Sequence, residues 1–353
     1  MTHIEQIQAE LERRDLDALL LFSDPNTRWA SGFAFTDGAV AVTRRSAVLI
    51  TDSRYIEAAL AEAQGVDVQL YDAARSLTAG LKAALSGCRR IGAEAETLPQ
   101  ARWERLGKAL GRDLRPADGL LTRLRAIKSP EEVAAITAAQ RIAERALAEL
   151  LGFIRPGVTE RELAAELTYR MLRLGGEGNS FDPITITGAN TSKPHGVPGD
   201  AVIAPGDFVT LDFGTVVRGY HSDMTRTVAV GEPTEVMRTV YDTVLRAQAA
   251  GIALMTPEHT GAEVHKAAAD VIAEAGYGEY FGHGFGHGVG LEIHEGPSAS
   301  PRNAEPLPAG AVVTAEPGVY LPGRFGVRIE DMIQVTADGP VNLTAAPKDL
   351  LVL

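Results

Sequence analysis

The sequence has almost no cysteine, no long apolar run and no concentration of basic charge. Cys88 is the single cysteine among 353 residues, so no intrachain disulfide can form and nothing indicates an oxidising compartment. No run reaches the roughly 20 apolar residues that a membrane-spanning helix needs. The formal net charge of −12 disfavours a nucleic-acid partner, because phosphate binding requires a concentrated basic surface.

The first residues of the chain do not predict a secretory signal. Residues 1–15 are polar and amphipathic, without the apolar centre of a signal peptide. A composition of 45% hydrophobic and 23% charged residues is typical of a globular protein. We therefore expect a cytoplasmic protein that binds neither nucleic acid nor membrane.

The chain is long for a single core, and its pattern changes about a third of the way along. Before that point short apolar strands alternate with short helices, which predicts a small α/β domain. After it, Ser129, Pro130 and Glu132 form the start signal of a long helix, and Thr159 with Glu162 repeats the capping pattern for another. The predicted domains are residues 1–122 and 123–353.

Acidic residues stand on two pairs of predicted strands in the second domain. Residues 208–214 predict a strand that carries Asp212, and the turn at Arg218 and Gly219 leads into a strand that carries Asp223. Antiparallel pairing of these strands can place the two aspartates side by side.

The second pair repeats this arrangement after two predicted helices. Residues 311–316 end at Glu316, and residues 326–330 end at Glu330, with turn residues between them. We expect each helix-backed half to supply two carboxylates to one shared site.

Four carboxylates and one imidazole suit two divalent cations. Packed together without metal, the carboxylates would repel and could not all stay ionised, whereas two divalent cations balance four negative charges. Oxygen-rich ligation with a single nitrogen favours Mn²⁺ or Co²⁺, with Zn²⁺ as a further candidate. Paired metals activate water and polarise carbonyls, so hydrolysis is the expected chemistry. The predicted ligands are Asp212, Asp223, His287, Glu316 and Glu330.

Taken singly, these residues have ordinary structural interpretations. A lone aspartate in a strand is commonly a hydrogen-bonded edge residue, and Glu316 before Pro317 and Gly318 is also typical of a turn. The alternating glycines around His287 allow close backbone approach and exclude a helix, so this is not the helical zinc signature. The set as a whole favours the metal site.

This ordered set resembles metallopeptidase family M24, the pita-bread fold of methionine aminopeptidase, aminopeptidase P and prolidase. The first 122 residues resemble the creatinase/prolidase N-terminal domain at Ser31-Gly32-Phe33 and Asp52-Ser53-Arg54-Tyr55. Methionine aminopeptidases usually lack such a domain, so the proline-directed branch is favoured. The implied fold is α/β (α+β), a small creatinase-like N-terminal α/β domain followed by a pita-bread catalytic domain.

The resemblance also implies roles for further side chains. It implies that Glu316 is the general base and that Arg328 orients carboxylates at the substrate site. Three histidines acquire substrate contacts: His195 bonds the substrate or shuttles a proton, His283 lines the proline pocket, and His294 donates to the scissile carbonyl or its oxyanion. A loop or core histidine satisfied by backbone is the alternative for each.

One position departs from the family pattern. Many prolidases carry an arginine soon after the His-Glu pair to clamp the dipeptide carboxylate, whereas here Ser298 follows Pro297 and the next arginine is Arg302. A size gate is then expected from Asp37 and Arg45, reaching in from a partner subunit of a homodimer.

The implied activity is hydrolysis of the X–Pro bond, with Xaa-Pro dipeptides as the first substrate class. The alternatives are an aminopeptidase P that acts on longer peptides, a non-catalytic peptide-binding protein, and a hydrolase of another small amide.

Overall fold

The computed structural model describes every residue of the chain and divides it into two units, Met1–Arg125 and Ala126–Leu353. No helix in either unit combines the length and the apolar character that crossing a membrane requires.

The N-terminal unit is built on one six-stranded mixed sheet. Its elements are α1 (His3–Arg13), β1 (Ala18–Leu21), α2 (Asp24–Ser31), β2 (Gly38–Thr43), β3 (Ala47–Thr51), α3 (Ile56–Glu62), β4 (Asp67–Leu70), α4 (Leu77–Ala84), β5 (Ile91–Ala93), α5 (Gln100–Leu110), β6 (Leu114–Pro116) and α6 (Asp118–Ala126). The strand order is β4-β3-β2-β1-β5-β6, with β1, β2 and β3 antiparallel and the outer pairings parallel. All four residues of β1 are buried, as expected for a central strand covered on both faces.

The C-terminal unit contains two larger sheets and two hairpins. Its elements are α7 (Pro130–Leu150), α8 (Glu160–Arg173), β7 (Ile184–Thr187), β8 (Phe208–Phe213), β9 (Val216–Val217), β10 (Tyr220–His221), β11 (Met224–Ala229), α9 (Glu235–Ala253), α10 (Gly261–Glu274), β12 (Gly286–Gly288), β13 (Glu295–Ala299), β14 (Val312–Ala315), β15 (Gly318–Leu321), β16 (Phe325–Arg328), β17 (Asp331–Gln334) and β18 (Val341–Asn342), with short 3₁₀ turns at Leu151–Phe153, Gly188–Ser192 and Gly278–Tyr280.

Each half of this unit has helices packed on its sheet. The sheet β11-β8-β7 shares an apolar core with α7 and α8, which includes Leu147, Leu167 and Leu211. The sheet β13-β12-β14-β17-β18 shares a second core with α9 and α10, which includes Val244 and Ile333. Burial of these apolar faces is the main force that holds the strands in register.

The strand pairing around Glu316 differs from the expectation of one hairpin. β14 pairs with β17, whereas the turn at residues 322–324 joins β15 to β16. The cause is Pro317, which cannot donate to a ladder, so the chain leaves one sheet at Glu316 and begins a new strand at Gly318. Glu330 consequently lies between β16 and β17, at the crossing from one sheet to the other.

Candidate metal centre and active site

Asp212 lies in a strand of the three-stranded sheet, whereas Asp223 lies just before the neighbouring strand and not, as the sequence had predicted, within it. Asp212 stands in β8 opposite Thr225 of β11, and Asp223 directly precedes β11. Gly214 permits this approach, because a Cβ at that position would clash with the carbonyl of Ser222. Both aspartates line the same cavity.

Glu330 is tied to the same strand through Thr225. Its N–H donates to the Thr225 carbonyl at 3.1 Å, and the Thr225 hydroxyl donates to Glu330 Oε2 at 2.6 Å. The glutamate is only 1% exposed. Its backbone and one carboxylate oxygen are therefore fixed, while Oε1 is buried without a partner.

His287 and Glu316 are brought together by Thr314. The His287 N–H donates to the Thr314 hydroxyl at 3.0 Å, and that hydroxyl donates to Glu316 Oε1 at 3.1 Å. Gly286 is required here, since a Cβ would clash with the Thr314 carbonyl. The alternating glycines thus serve the close packing of β12 on β14 that the sequence indicated.

The imidazole of His287 points into the carboxylate cluster. Its Nε2 lies 3.4 Å from Glu316 Oε1 and 3.5 Å from Asp223 Oδ2. Nδ1 lies 3.1 Å from the Gly288 carbonyl oxygen, so a proton on Nδ1 leaves the Nε2 lone pair facing the carboxylates. That is the tautomer a metal ligand requires.

Electrostatics of the cluster favour neutral groups when no cation is bound. Burial, reinforced by the neighbouring carboxylates, raises the pKa of Asp223 and of Glu330 well above the usual range, and burial also raises the pKa of Glu316. Burial lowers the pKa of His287. A positive charge inside the cluster would reverse these penalties on the carboxylates.

Three buried carboxylate oxygens would be stabilised by such a positive charge. Asp212 Oδ1, Asp223 Oδ1 and Glu330 Oε1 have no hydrogen-bond partner. Buried polar atoms are normally satisfied, so unpartnered oxygens that converge need another source of compensation. One candidate ligand atom each from Asp223, His287 and Glu330 lies within 4.8 Å of the others. This donor set fits a divalent metal.

The cavity beside this cluster has a volume of about 430 Å³ and contains three further histidines. His195 is exposed on the loop after the 3₁₀ turn, and the ring of His294 packs edge-on against His287 with centroids 4.3 Å apart. Burial lowers the pKa of both His283 and His294, which favours their neutral forms. Apolar contact is supplied by Phe181, Ile184 and Ile293.

Arg328 and Tyr320 complete the wall of the cavity. Arg328 Nη2 lies 2.5 Å from Asp212 Oδ2, Nη1 donates to the Tyr320 hydroxyl at 3.0 Å, and Nε donates to the Thr225 hydroxyl at 3.1 Å. The Tyr320 hydroxyl also lies 2.9 Å from His283 Nε2. The guanidinium is therefore engaged by the protein on all sides.

Both parts of the chain match known families. Residues 134–337 match Metallopeptidase family M24, and residues 3–127 match the Creatinase/Prolidase N-terminal domain. The chain is 40% identical to a solved Xaa-Pro dipeptidase from Bacillus anthracis, with 99% of each chain covered and a TM-score of 0.95. It is 35% identical to a solved X-Pro aminopeptidase from Thermotoga maritima MSB8, with 98% and 100% covered and a TM-score of 0.92. The Xaa-Pro dipeptidase of Pyrococcus horikoshii is 36% identical over 99% of this chain and 98% of that protein.

The chain belongs to metallopeptidase family M24. This confirms the resemblance predicted from the sequence, the fold of a creatinase-like N-terminal domain followed by a pita-bread domain, and the assignment to the metallopeptidases. The M24 family implies divalent metal ions, and the cluster described above is the candidate place for them.

Most of the site residues predicted for this M24 protein lie together in one cavity. The lining contains Asp212, Asp223, His287, Glu316 and Glu330, together with His195, His283, His294 and Arg328. Asp37 and Arg45 are not among the lining residues. Asp37 is exposed and pairs with Arg54 at 2.6 Å, and Arg45 is exposed in the turn between β2 and β3. Their proposed contact with substrate stays a prediction.

The sequence reasoning missed Tyr320 and Thr314. Tyr320 stands in a short, continuously apolar strand that is buried at every position, so its pattern indicated core packing and gave no sign of its hydroxyl bonds to His283 and Arg328. Thr314 precedes Glu316 by two residues and therefore shares its strand face. That spacing is the signal that could have identified Thr314 as a partner of the glutamate.

Proposed function

We propose that this M24 protein is a hydrolase of the X–Pro peptide bond, with Xaa-Pro dipeptides as its first substrates. The metal ligands in this proposal are Asp212, Asp223, His287, Glu316 and Glu330, which hold two divalent ions, with Mn²⁺ preferred and Co²⁺ or Zn²⁺ as alternatives. The observation that carries the proposal is the convergence of three unpartnered carboxylate oxygens on one cavity that also holds His195, His283 and His294.

The metal and the side chains divide the chemistry between them. Bound at this cluster, divalent cations lower the pKa of water and polarise a carbonyl. Glu316 accepts the proton of the attacking water and passes it to the leaving nitrogen. His294, whose pKa is lowered by partial desolvation, donates a hydrogen bond to the oxyanion that develops on the scissile carbonyl. His195 bonds the substrate on the exposed side of the cavity.

The cavity walls support recognition of a short substrate. Its volume of about 430 Å³ is within the range of small-ligand sites. His283 is held by two contacts, Nδ1 at 2.8 Å from the Gly284 carbonyl and Nε2 at 2.9 Å from Tyr320, which keep its ring fixed as a wall for the proline ring. Phe181, Ile184 and Ile293 add apolar surface.

One observation favours the second candidate, an Xaa-Pro aminopeptidase that acts on longer peptides. Arg328 is the only lysine or arginine of the lining, and its guanidinium is committed to Asp212, Tyr320 and Thr225. Ser298 bonds Ser300 at 3.0 Å and does not line the cavity. No lysine or arginine of this chain's cavity is thus available to clamp a dipeptide carboxylate, so in a dipeptidase the clamp or length gate comes from elsewhere. Our candidates are Arg45 for the clamp and Asp37 for the length gate, both from the partner subunit of a homodimer.

The test compares metal-stripped and Mn²⁺-loaded protein on Ala-Pro and Ala-Pro-Ala, with Glu316→Gln as the matched inactive variant. Metal-dependent cleavage of Ala-Pro alone supports the dipeptidase. Cleavage of the tripeptide assigns the protein to the aminopeptidases. A wild-type protein that binds Mn²⁺ and cleaves neither peptide overturns the proposal in favour of a peptide-binding protein or a hydrolase of another small amide.

A further inference from the structure

A buried glutamine of α9 connects the two strand ends that present the metal-site glutamates. Gln248 is 0% exposed, and its Nε2 donates to the Ala315 carbonyl at 2.9 Å and to the Ile329 carbonyl at 3.2 Å. Ala315 and Ile329 immediately precede Glu316 and Glu330. One amide nitrogen therefore fixes the backbone next to both glutamates.

The orientation of this amide is determined by its other partner. Gln248 Oε1 accepts from Lys348 Nζ at 3.0 Å. An ammonium group can only donate, and the carbonyls of Ala315 and Ile329 can only accept, so oxygen and nitrogen of the amide cannot be exchanged. All three hydrogen bonds depend on the glutamine side chain being present in this orientation.

The same network holds the far side of Glu330 through Asp331. This aspartate is 0% exposed and accepts from Lys348 Nζ at 2.7 Å, Arg226 Nη2 at 2.8 Å and Asn342 Nδ2 at 2.8 Å. Arg226 Nη1 also donates to the Glu330 carbonyl at 2.5 Å. The backbone from Ile329 to Asp331 is thus fixed at each residue.

None of these side chains lines the substrate cavity. An apolar residue in place of Gln248 alone would leave the Ala315 and Ile329 carbonyls without this partner, so the glutamine contributes to stability as well. What an apolar side chain cannot do is hold two carbonyls at one fixed separation. That property matters where two glutamates must reach the same metal centre.

We infer that Gln248 is a positioning residue that sets the separation of the Glu316 and Glu330 carboxylates and thereby the affinity of the metal centre. Lys348 supports it by fixing the amide and by tying it to Asp331. This inference rests on the proposed function, because it assigns both glutamates to the metal.

The test measures Mn²⁺ binding by titration calorimetry and the visible absorption spectrum of the Co²⁺-loaded full-length protein. Gln248→Met keeps the side-chain length and removes all three hydrogen bonds. We expect it to weaken Mn²⁺ binding by about 10- to 100-fold and to change the Co²⁺ spectrum, which reports ligand geometry. The matched control is Thr243→Val, since Thr243 is equally buried in α9 and its hydroxyl donates within the helix to Thr239.

The variants separate failure of the inference from failure of the proposed function. A wild-type protein that binds no metal overturns both. A wild-type protein that binds metal, with a folded Gln248→Met variant of equal affinity and identical spectrum, overturns the inference alone. If Gln248→Met does not fold, the same two measurements are made on Lys348→Met. Lys348 is partly exposed, so this change removes the hydrogen bond to the Gln248 amide without creating a cavity in the core. Weakened binding in Lys348→Met but not in Thr243→Val supports the inference.

Discussion

Arg328 and Asp212 form a buried ion pair in which Nη2 lies 2.5 Å from Oδ2. Their side chains are 4% and 13% exposed, so little water screens the contact. The second oxygen of Asp212 has no partner. The arginine thus compensates one oxygen of the carboxylate and leaves the other for the cavity.

Replacement of Arg328 by methionine is expected to destabilise the metal-free protein. The change leaves the Asp212 charge uncompensated beside Asp223, and breaking a buried ion pair costs roughly 3 kcal/mol or more. Denaturant unfolding of chelator-treated protein measures the loss. Arg324→Met in the same hairpin is the control, because Arg324 is exposed and surface substitutions usually change stability by less than about 0.5 kcal/mol. Equal stability of both variants would contradict the pairing.

The carboxylate cluster predicts a stability that falls with rising pH when metal is absent. The folded-state pKa values of Asp223, Glu316 and Glu330 are raised, so the folded protein binds more protons than the unfolded chain. Their stabilising contribution is complete below the unfolded pKa values of 3.8 and 4.5, and it is lost as pH rises through the raised values. The Asp223→Asn, Glu330→Gln double variant should therefore gain stability relative to wild type as pH increases above about 4.5.

Asp17 offers a control of opposite sign for this experiment. The side-chain and backbone hydrogen bonds of Arg90 hold the pKa of Asp17 below its usual range. Its contribution is present above the unfolded value and is lost as pH falls through the folded one. Asp17→Asn should accordingly lose stability relative to wild type as pH rises toward 3.8, and the difference should stay constant above about 4.5, where the cluster variant changes. If the difference in stability between the double variant and wild type stays constant above about pH 4.5, the cluster is ionised in the metal-free folded protein and the prediction is wrong.

The features that the sequence predicted well are local ones. The capping boxes of Ser129 with Glu132 and of Thr159 with Glu162 are both present, because a cap is decided by residues three positions apart. The acidic and glycine-rich motifs were equally readable, since each lies within one strand or turn. These local patterns, with the family resemblance, were enough to predict the fold and nine of the residues that line the cavity, but not Tyr320.

The features that the sequence did not predict depend on distant contacts. Thr225 and Glu330 bond each other across 105 positions, and nothing near either residue specifies that partner. Pairing of β14 with β17, rather than with residues 326–330, follows from the sheet change at Pro317. Gln248 did leave a signal, because it is a polar residue in the stripe of α9 that also contains Tyr241 and Val244. Its two carbonyl partners still could not be read from the chain.

His294 is expected to act on the transition state and not on metal binding. Its ring packs against the His287 ring, but it makes no hydrogen bond to a carboxylate of the cluster. His294→Ala should lower kcat by about 10²- to 10³-fold, which is typical of losing one oxyanion donor, and should leave Mn²⁺ affinity nearly unchanged. Steady-state kinetics and calorimetry on one preparation measure both quantities. His259→Ala, outside the cavity, is the control. An increase in KM with unchanged kcat would instead show that His294 binds the ground state and the transition state equally, which contradicts the oxyanion role.

Asp37 and Arg45 are expected to control substrate length if they gate the site from a partner subunit. Both are exposed, so Asp37→Ala and Arg45→Ala should fold normally. Loss of a charge that contacts the dipeptide terminus should reduce kcat/KM for Ala-Pro by roughly tenfold, the equivalent of about 1.4 kcal/mol, and leave Ala-Pro-Ala unaffected. Arg105→Ala on α5 is the control, since Arg105 is also exposed and bonds only the Ala101 carbonyl of its own helix. Sedimentation equilibrium on the same samples shows whether Arg45 acts on the site of a partner subunit or of its own chain. If the protein is a monomer and its dipeptide preference still depends on Arg45, the residue acts within its own chain.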